Sequence, residues 1–162
     1  MTKRLILIRH AKSSWDQPGP DHDRPLNKRG YASAKAIGAW LKENRYWPQE
    51  VLCSTAKRTA ETSEHLGFEG LVSFTGKLYH ASPEAMVDVL KTASADHVAM
   101  IGHNPGIAML ASQLVTQPPA HPRFLHYPTC ATTVIDFKID TWDEITMRNG
   151  LVRDFIVPRD LI

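Results

Sequence analysis

The chain has 162 residues, a net charge of +2, 43% hydrophobic residues and two cysteines. That length suffices for one domain with a real core over residues 1–162, in the compositional range of ordinary soluble globular proteins. The near-balanced charge argues for neither nucleic acid nor a membrane as partner, and no apolar run approaches the roughly 20 residues that span a bilayer.

Residues 4–9 read as a fully buried strand, with the unbroken apolar run Leu5-Ile6-Leu7-Ile8 closed by Arg9-His10. The run is too short for a signal peptide, so a cytoplasmic location is expected. Trp15 to Pro25 is polar and rich in Pro, Gly and Asp, and reads as a loop that Trp15 anchors. Asn27 is a plausible N-cap for a helix whose apolar face carries Ala32, Ala36, Ile37, Trp40 and Leu41. Trp47-Pro48 ends that unit and Val51-Leu52-Cys53 forms a short strand. Ser54 is expected to cap a second helix with Ala56, Ala60 and Ser63 on a small-residue face.

Leu71–Thr75 reads as an edge strand, and Ser82-Pro83-Glu84 starts a third helix striped by Met86, Val87 and Leu90. His97–Ile101 is the next buried strand. Asn104-Pro105 starts a fourth helix, with Ile107, Leu110, Ala111, Leu114 and Val115 at helical spacing. Gln117–Thr129 holds four prolines and reads as a long surface loop. Thr132–Ile139 and Ile145–Ile156 carry strand-like runs, expected as a hairpin with one strand joining the sheet. Alternating strands and helices predict an α/β fold, a mostly parallel sheet flanked by helices on both faces. Cys53 and Cys130 lie far apart in no CxxC pattern and read as buried thiols.

Three segments share one layout: a buried strand, abrupt polar residues, then a loop or helix start. They are Ile8-Arg9-His10, Leu52 through Arg58, and Ile101-Gly102-His103-Asn104-Pro105-Gly106. In a parallel sheet all three polar ends fall on one edge, where ligands bind. That gathers Arg9, Arg58, His10, His103 and two helix N-termini, a set that favours a phosphate dianion. Lys12, Ser13 and Ser14 are placed to rim such a site, and His121, Arg123 and His126 to line its mouth. The histidines lack the spacing of a dedicated metal cage, so no metal is expected.

In their order, the string Arg9 to Trp15, Asp23-Arg24-Pro25-Leu26, Arg29-Gly30, the run Ser54 to Thr62 and Gly102 to Gly106 resemble the histidine phosphatase superfamily. The likeness extends from Leu5 to Val115 and is nearest to the small, SixA-like branch of phosphohistidine phosphatases. It implies a phosphoglycerate mutase-like, three-layer α/β/α fold and a cofactor-independent phosphatase. It assigns His10 as the transiently phosphorylated nucleophile, Arg9 and Arg58 as phosphate ligands, and His103 as a second contact to the phosphoryl group. The physics agrees, because neighbouring guanidinium groups disfavour a protonated His10 and offset charge on the phosphoryl oxygens.

One departure bears on substrate. Many relatives carry a glutamate acid soon after the third strand, whereas Lys77-Leu78-Tyr79-His80-Ala81-Ser82 has no carboxylate. An alcohol leaving group needs a proton donor more than an imidazole of pKa about 6.5 does. A phosphohistidine on a partner protein is therefore the favoured substrate, and a short chain with no large insertion suits so bulky a molecule. His80 is the candidate acid, with Asp21 or Asp23 as alternatives from the loop. The remaining readings are a phosphatase of small phosphorylated metabolites and a phosphate-binding protein with little catalysis.

Overall fold

The strand containing Leu5 to Ile8 sends alternate side chains into two different cores, which is why its apolar run has no break. The computed structural model describes residues 2–162. Leu5 and Leu7 pack on one face of the sheet with Leu52, Met100, Ile107 and Leu110. Ile6 and Ile8 pack on the other with Ile37, Leu41, Val51 and Phe68.

The strands are β1 (Lys3–Arg9), β2 (Glu50–Ser54), β3 (Val72–Thr75), β4 (His97–Gly102), β5 (Thr132–Phe137) and β6 (Leu151–Ile156). They form one sheet in the order β3-β2-β4-β1-β5-β6, with β1 to β4 parallel and β5 and β6 antiparallel to their neighbours. Helices α1 (Lys28–Glu43) and α2 (Lys57–Leu66) cover one face, and α3 (Pro83–Leu90) and α4 (Gly106–Leu114) the other. The fold is thus α/β with helices on both faces, as the alternation predicts. Both terminal strands belong to the sheet, not one of them, and a one-turn 3-10 helix at Trp142–Glu144 separates them. Asp136 on β5 holds them to β1, accepting from Arg4 Nε and Arg153 Nε at 2.7 Å each.

Register sets the site. Arg9 on β1 pairs with Gly102 on β4, and Cys53 on β2 pairs with Ile101, so Arg9, Gly102 and Ser54 lie in one row at the strands' carboxyl ends. Helix boundaries differ in detail from the pattern-based expectation. Helix α1 buries Ser33, Ala34, Ile37, Gly38 and Leu41, while Ala32 is exposed and Trp40 half-buried. The apolar count points at Ala32, but close packing selects small residues: a Cβ on Gly38 would be driven into the Leu66 carbonyl. Asn27 caps α1 by accepting from the Gly30 amide at 2.8 Å, and Ser82 caps α3 in the same way at 3.2 Å. Ser54 is not a helix cap; it ends β2, and Ala56 precedes the first turn of α2. Pro105 is likewise outside α4, which starts at Gly106 and ends before Val115.

Both cysteines are buried free thiols, and burial pushes each up to about 12. No helix among the described residues is long and apolar enough to cross a membrane.

Candidate active site

His10 follows directly on β1 and is 6% exposed. Its own amide donates to the Gly102 carbonyl at 3.1 Å, and its carbonyl accepts from the Cys130 amide at 2.9 Å. Nδ1 lies 2.7 Å from the Ala11 carbonyl, an acceptor only, so Nδ1 carries the proton of the neutral ring and Nε2 keeps its lone pair. Burial drops His10 from 6.5 to about 3; the Ala11 carbonyl opposes that fall, and the Arg9, Arg58 and Arg24 charges add to it. The ring is therefore neutral at physiological pH.

His103, 3% exposed, follows β4 and faces His10 with ring centroids 5.3 Å apart. Its Nε2 is 2.8 Å from Ser54 Oγ, and its buried Nδ1 has no hydrogen-bond partner among the described residues. Burial, then His10, Arg58 and His80, hold it at about 3 as well.

Arg9 ends β1 and is fixed by one bond, Nη1 to the Tyr127 carbonyl at 3.1 Å, with its buried Nε unused. Burial and the Arg58 charge lower its pKa, and no carboxylate pairs with it among the described residues. Arg58, 2% exposed, sits in the first turn of α2. Its Nη1 donates to the Asp21 carbonyl at 2.8 Å and Nη2 to Asp21 Oδ2 at 2.9 Å, leaving Nε without a partner among the described residues. Two guanidinium groups thus border the paired histidines with buried donors to spare. The α2 turn is also tied to the loop after His10, since Thr62 Oγ1 donates to the Arg58 carbonyl at 2.7 Å and accepts from the Ala11 amide at 2.9 Å.

The loop over residues 15–25 brings in a third cation and one carboxylate. Arg24 donates Nη1 to Ser13 Oγ and Nη2 to Asp21 Oδ1 at 3.0 Å. Its guanidinium lies 3.7 Å over the Trp15 ring. Trp15 is 75% exposed, so it supports Arg24 from outside and does not anchor the loop in the core. Asp21 also accepts from the Tyr79 hydroxyl at 2.7 Å; that bond, with Arg24 and Arg58, holds it well below the usual carboxylate range. Asp21 thus reaches the site bound to Arg58, Arg24 and Tyr79, an arrangement that favours its anionic form over that of a proton donor. Asp23 points outward, 3.8 Å from His22.

His80 does reach the site. Its Nε2 is 3.3 Å from Asp21 Oδ2, and its ring is 5.6 Å from that of His103. It is half exposed and takes a left-handed backbone, φ 51°. Tyr127 (φ 52°) and Cys130 (φ 62°), on the opposite wall, do the same. Such conformations cost about 1–3 kcal/mol each in non-glycine residues and persist where surrounding bonds fix them.

Tyr127 is the residue that pattern reasoning missed. The segment 117–129 is not simply a surface loop, because Phe124 and Tyr127 are buried. The Tyr127 hydroxyl donates to the Leu7 carbonyl at 2.6 Å, while its carbonyl accepts from Arg9 and, at 3.1 Å, from Asn104 Nδ2. The proline spacing gave a loop but no hint of this three-way tie. His121 turns away to Asp160 at 3.0 Å, His126 is exposed, and Arg123 lines a separate cavity that none of His10, Arg9, Arg58 and His103 borders. Lys12 is exposed, Ser13 supports Arg24, and Ser14 accepts from the Asp16 amide.

Comparison with known proteins follows the same lines. The model of the histidine phosphatase superfamily (branch 1) matches residues 5–74. An uncharacterized protein of Mycobacterium leprae is 34% identical over 94% of this chain and 100% of its own length. The candidate phosphohistidine phosphatase SixA of Nakamurella multipartitia superposes with a TM-score of 0.84 at 26% identity, covering 98% of this chain and 97% of the other. Its counterpart from Agrobacterium tumefaciens gives 0.77 at 27% identity, over 96% and 99%. The chain belongs to the histidine phosphatase superfamily, branch 1.

Proposed function

We propose that this protein is a cofactor-independent phosphatase that hydrolyses phosphohistidine on a partner protein through a phosphohistidyl intermediate on His10. The carrying observation is the His10 ring itself: Nδ1 is spent on the Ala11 carbonyl and Nε2 has no partner among the described residues, beside two arginines with unused donors. In the first step the Nε2 lone pair attacks phosphorus in line with the bond to the leaving nitrogen. The new N–P bond forms as the old one breaks, and the substrate ring, protonated on its other nitrogen, departs as neutral imidazole. Arg9 and Arg58 offset charge on the phosphoryl oxygens, and His103 contacts the same group. Water then attacks phosphorus, releasing inorganic phosphate and restoring neutral His10.

Imidazole leaves readily because its conjugate acid has a pKa of about 6.5, so the lack of a buried carboxylic acid is no handicap. A second reading, a phosphatase of small phosphomonoesters, draws support from the approach of His80 to Asp21, since an imidazolium at His80 would supply the proton an alcohol needs. Rapid-quench labelling with phosphoramidate, phosphohistidine peptides and sugar phosphates decides between them. The expected result is acid-labile, base-stable phosphate on His10, with phosphoramidates turned over faster than esters. An unlabelled His10 with unchanged turnover in His10→Ala would refute the mechanism, and faster ester hydrolysis would favour the second reading.

A further inference from the structure

Beside the histidine site lies a second pocket whose charge the phosphoryl chemistry leaves unused. Lys12, Arg29, Arg123 and Arg159 line one cavity of about 260 Å³, together with Ser33, Pro128, Thr129 and Pro158. Neither a carboxylate nor any of His10, Arg9, Arg58 and His103 lines it. The four cations come from four separate stretches: the loop after β1, the first turn of α1, the segment 117–129, and the 3-10 turn Pro158–Asp160 after β6. None of these four side chains has an ion-pair or hydrogen-bond partner among the described residues. Asp160, beside Arg159 in sequence, is turned instead to His121 and the Val157 amide.

Like charges gathered without a counter-charge raise the local concentration of anions, and arginine forks fit carboxylate and phosphate oxygens. We infer that this pocket takes a second anionic group of the substrate, a carboxylate on the polypeptide that carries the phosphohistidine. The inference rests on His10 being the phosphoryl acceptor. Its geometry comes from the sheet. Ile8 on β1, Thr132 on β5 and Ile156 on β6 are in register, so the chain after β6 emerges on the same edge as His10, two strands away. Two strand spacings are about 10 Å, which an extended peptide covers in roughly three residues. The pocket therefore selects an acidic residue about three positions from the phosphorylated histidine.

The test uses phosphohistidine peptides in which one glutamate is moved from one to five positions away on either side, against glutamine controls. Turnover is measured with the wild-type protein and binding by fluorescence anisotropy with His10→Ala. The expected result is about tenfold higher kcat/KM, and tighter binding by the same factor, for glutamate near the third position on one side. The gain should lie in KM with kcat unchanged, and shrink with added salt. Arg123→Gln/Arg159→Gln should erase the preference while leaving turnover of the glutamine peptide intact, and Arg159→Glu should shift preference to lysine. Equal binding of glutamate and glutamine peptides at every position overturns the inference. A glutamate preference in binding without any turnover by wild type would sink the phosphatase reading and leave the pocket assignment standing.

Discussion

The His10 and His103 rings lie 5.3 Å apart, each tied through one nitrogen and without a partner at the other among the described residues. His10 is held by a backbone carbonyl that only accepts, whereas His103 meets a Ser54 hydroxyl that can give or take. The pair is therefore asymmetric: one ring has a fixed tautomer and the other an adjustable one. Under the proposed mechanism, this asymmetry suits His10 for forming the covalent bond and His103 for following the changing charge of the phosphoryl group.

Removing the hydroxyl tests this. Ser54→Ala should leave His103 in place by packing but without its partner, lowering kcat about 5- to 30-fold, a loss of about 1–2 kcal/mol, with little change in KM. His103→Ala should cost more, about 100-fold or beyond. Steady-state kinetics on a phosphoramidate reads both, and a Ser54→Ala protein with wild-type kcat would show the hydroxyl to be inert.

The low pKa of both histidines makes a signed prediction about pH. Each is near 3 when folded and near 6.5 when free, so the unfolded chain binds more protons between those values. Stability from this source is complete above about pH 6.5 and is lost as pH falls toward 3. The slope is up to about 1.4 kcal/mol per pH unit for each ring. Denaturant titrations from pH 7 to 4 should show this decline, and His10→Asn should remove about half of it. The rate of His10 phosphorylation should show no titration near 6.5, because Nε2 stays unprotonated well below that pH.

Asp21 engages Arg58 through both its carbonyl and its carboxylate. Asp21→Asn keeps the carbonyl contact but drops the charge. The expected change is a several-fold shift in KM for phosphorylated substrate with the pH profile of kcat unaltered, since an anion held so firmly donates no proton. Loss of an acidic-side kcat titration in Asp21→Asn would instead identify it as the acid.

Gly30 is where α1 approaches the loop behind His10. A Cβ there would be driven into the Lys12 carbonyl, which itself accepts from the Asn27 amide at 3.0 Å. Gly30→Ala should destabilise the protein by about 1–3 kcal/mol and reduce turnover, because the displaced backbone is two residues from His10. Thermal melts together with kinetics at a temperature where the variant is folded separate the two effects.

Much of the site was legible because parallel strands put Arg9, Ser54 and Gly102 in one row without side-chain information. The Arg-Gly pair and the last glycine of Gly102 to Gly106 also had local reasons, since Gly106 meets the Ala81 carbonyl. Ser54 was misread as a cap because serine before a helix has that role more often than it faces a histidine. Asp21 could be named only as an acid, because its charge state depends on Tyr79, Arg24 and Arg58, which are distant in sequence. Tyr127 left no signal at all: its value lies in contacts across 120 residues of chain to Leu7.

Those contacts have a mechanical meaning. One tyrosine rivets the segment 117–129 to the middle of the sheet through its hydroxyl and to Arg9 and Asn104 through its carbonyl. Moving that wall means breaking the buried Tyr127 bond to the Leu7 carbonyl, so it is tied to the sheet itself. The opposite rim, the stretch from Trp15 to Pro25, is held differently, by the Asp21 bonds to buried Arg58 and the Arg24 bond to buried Ser13, so its hold on the site is one of charge.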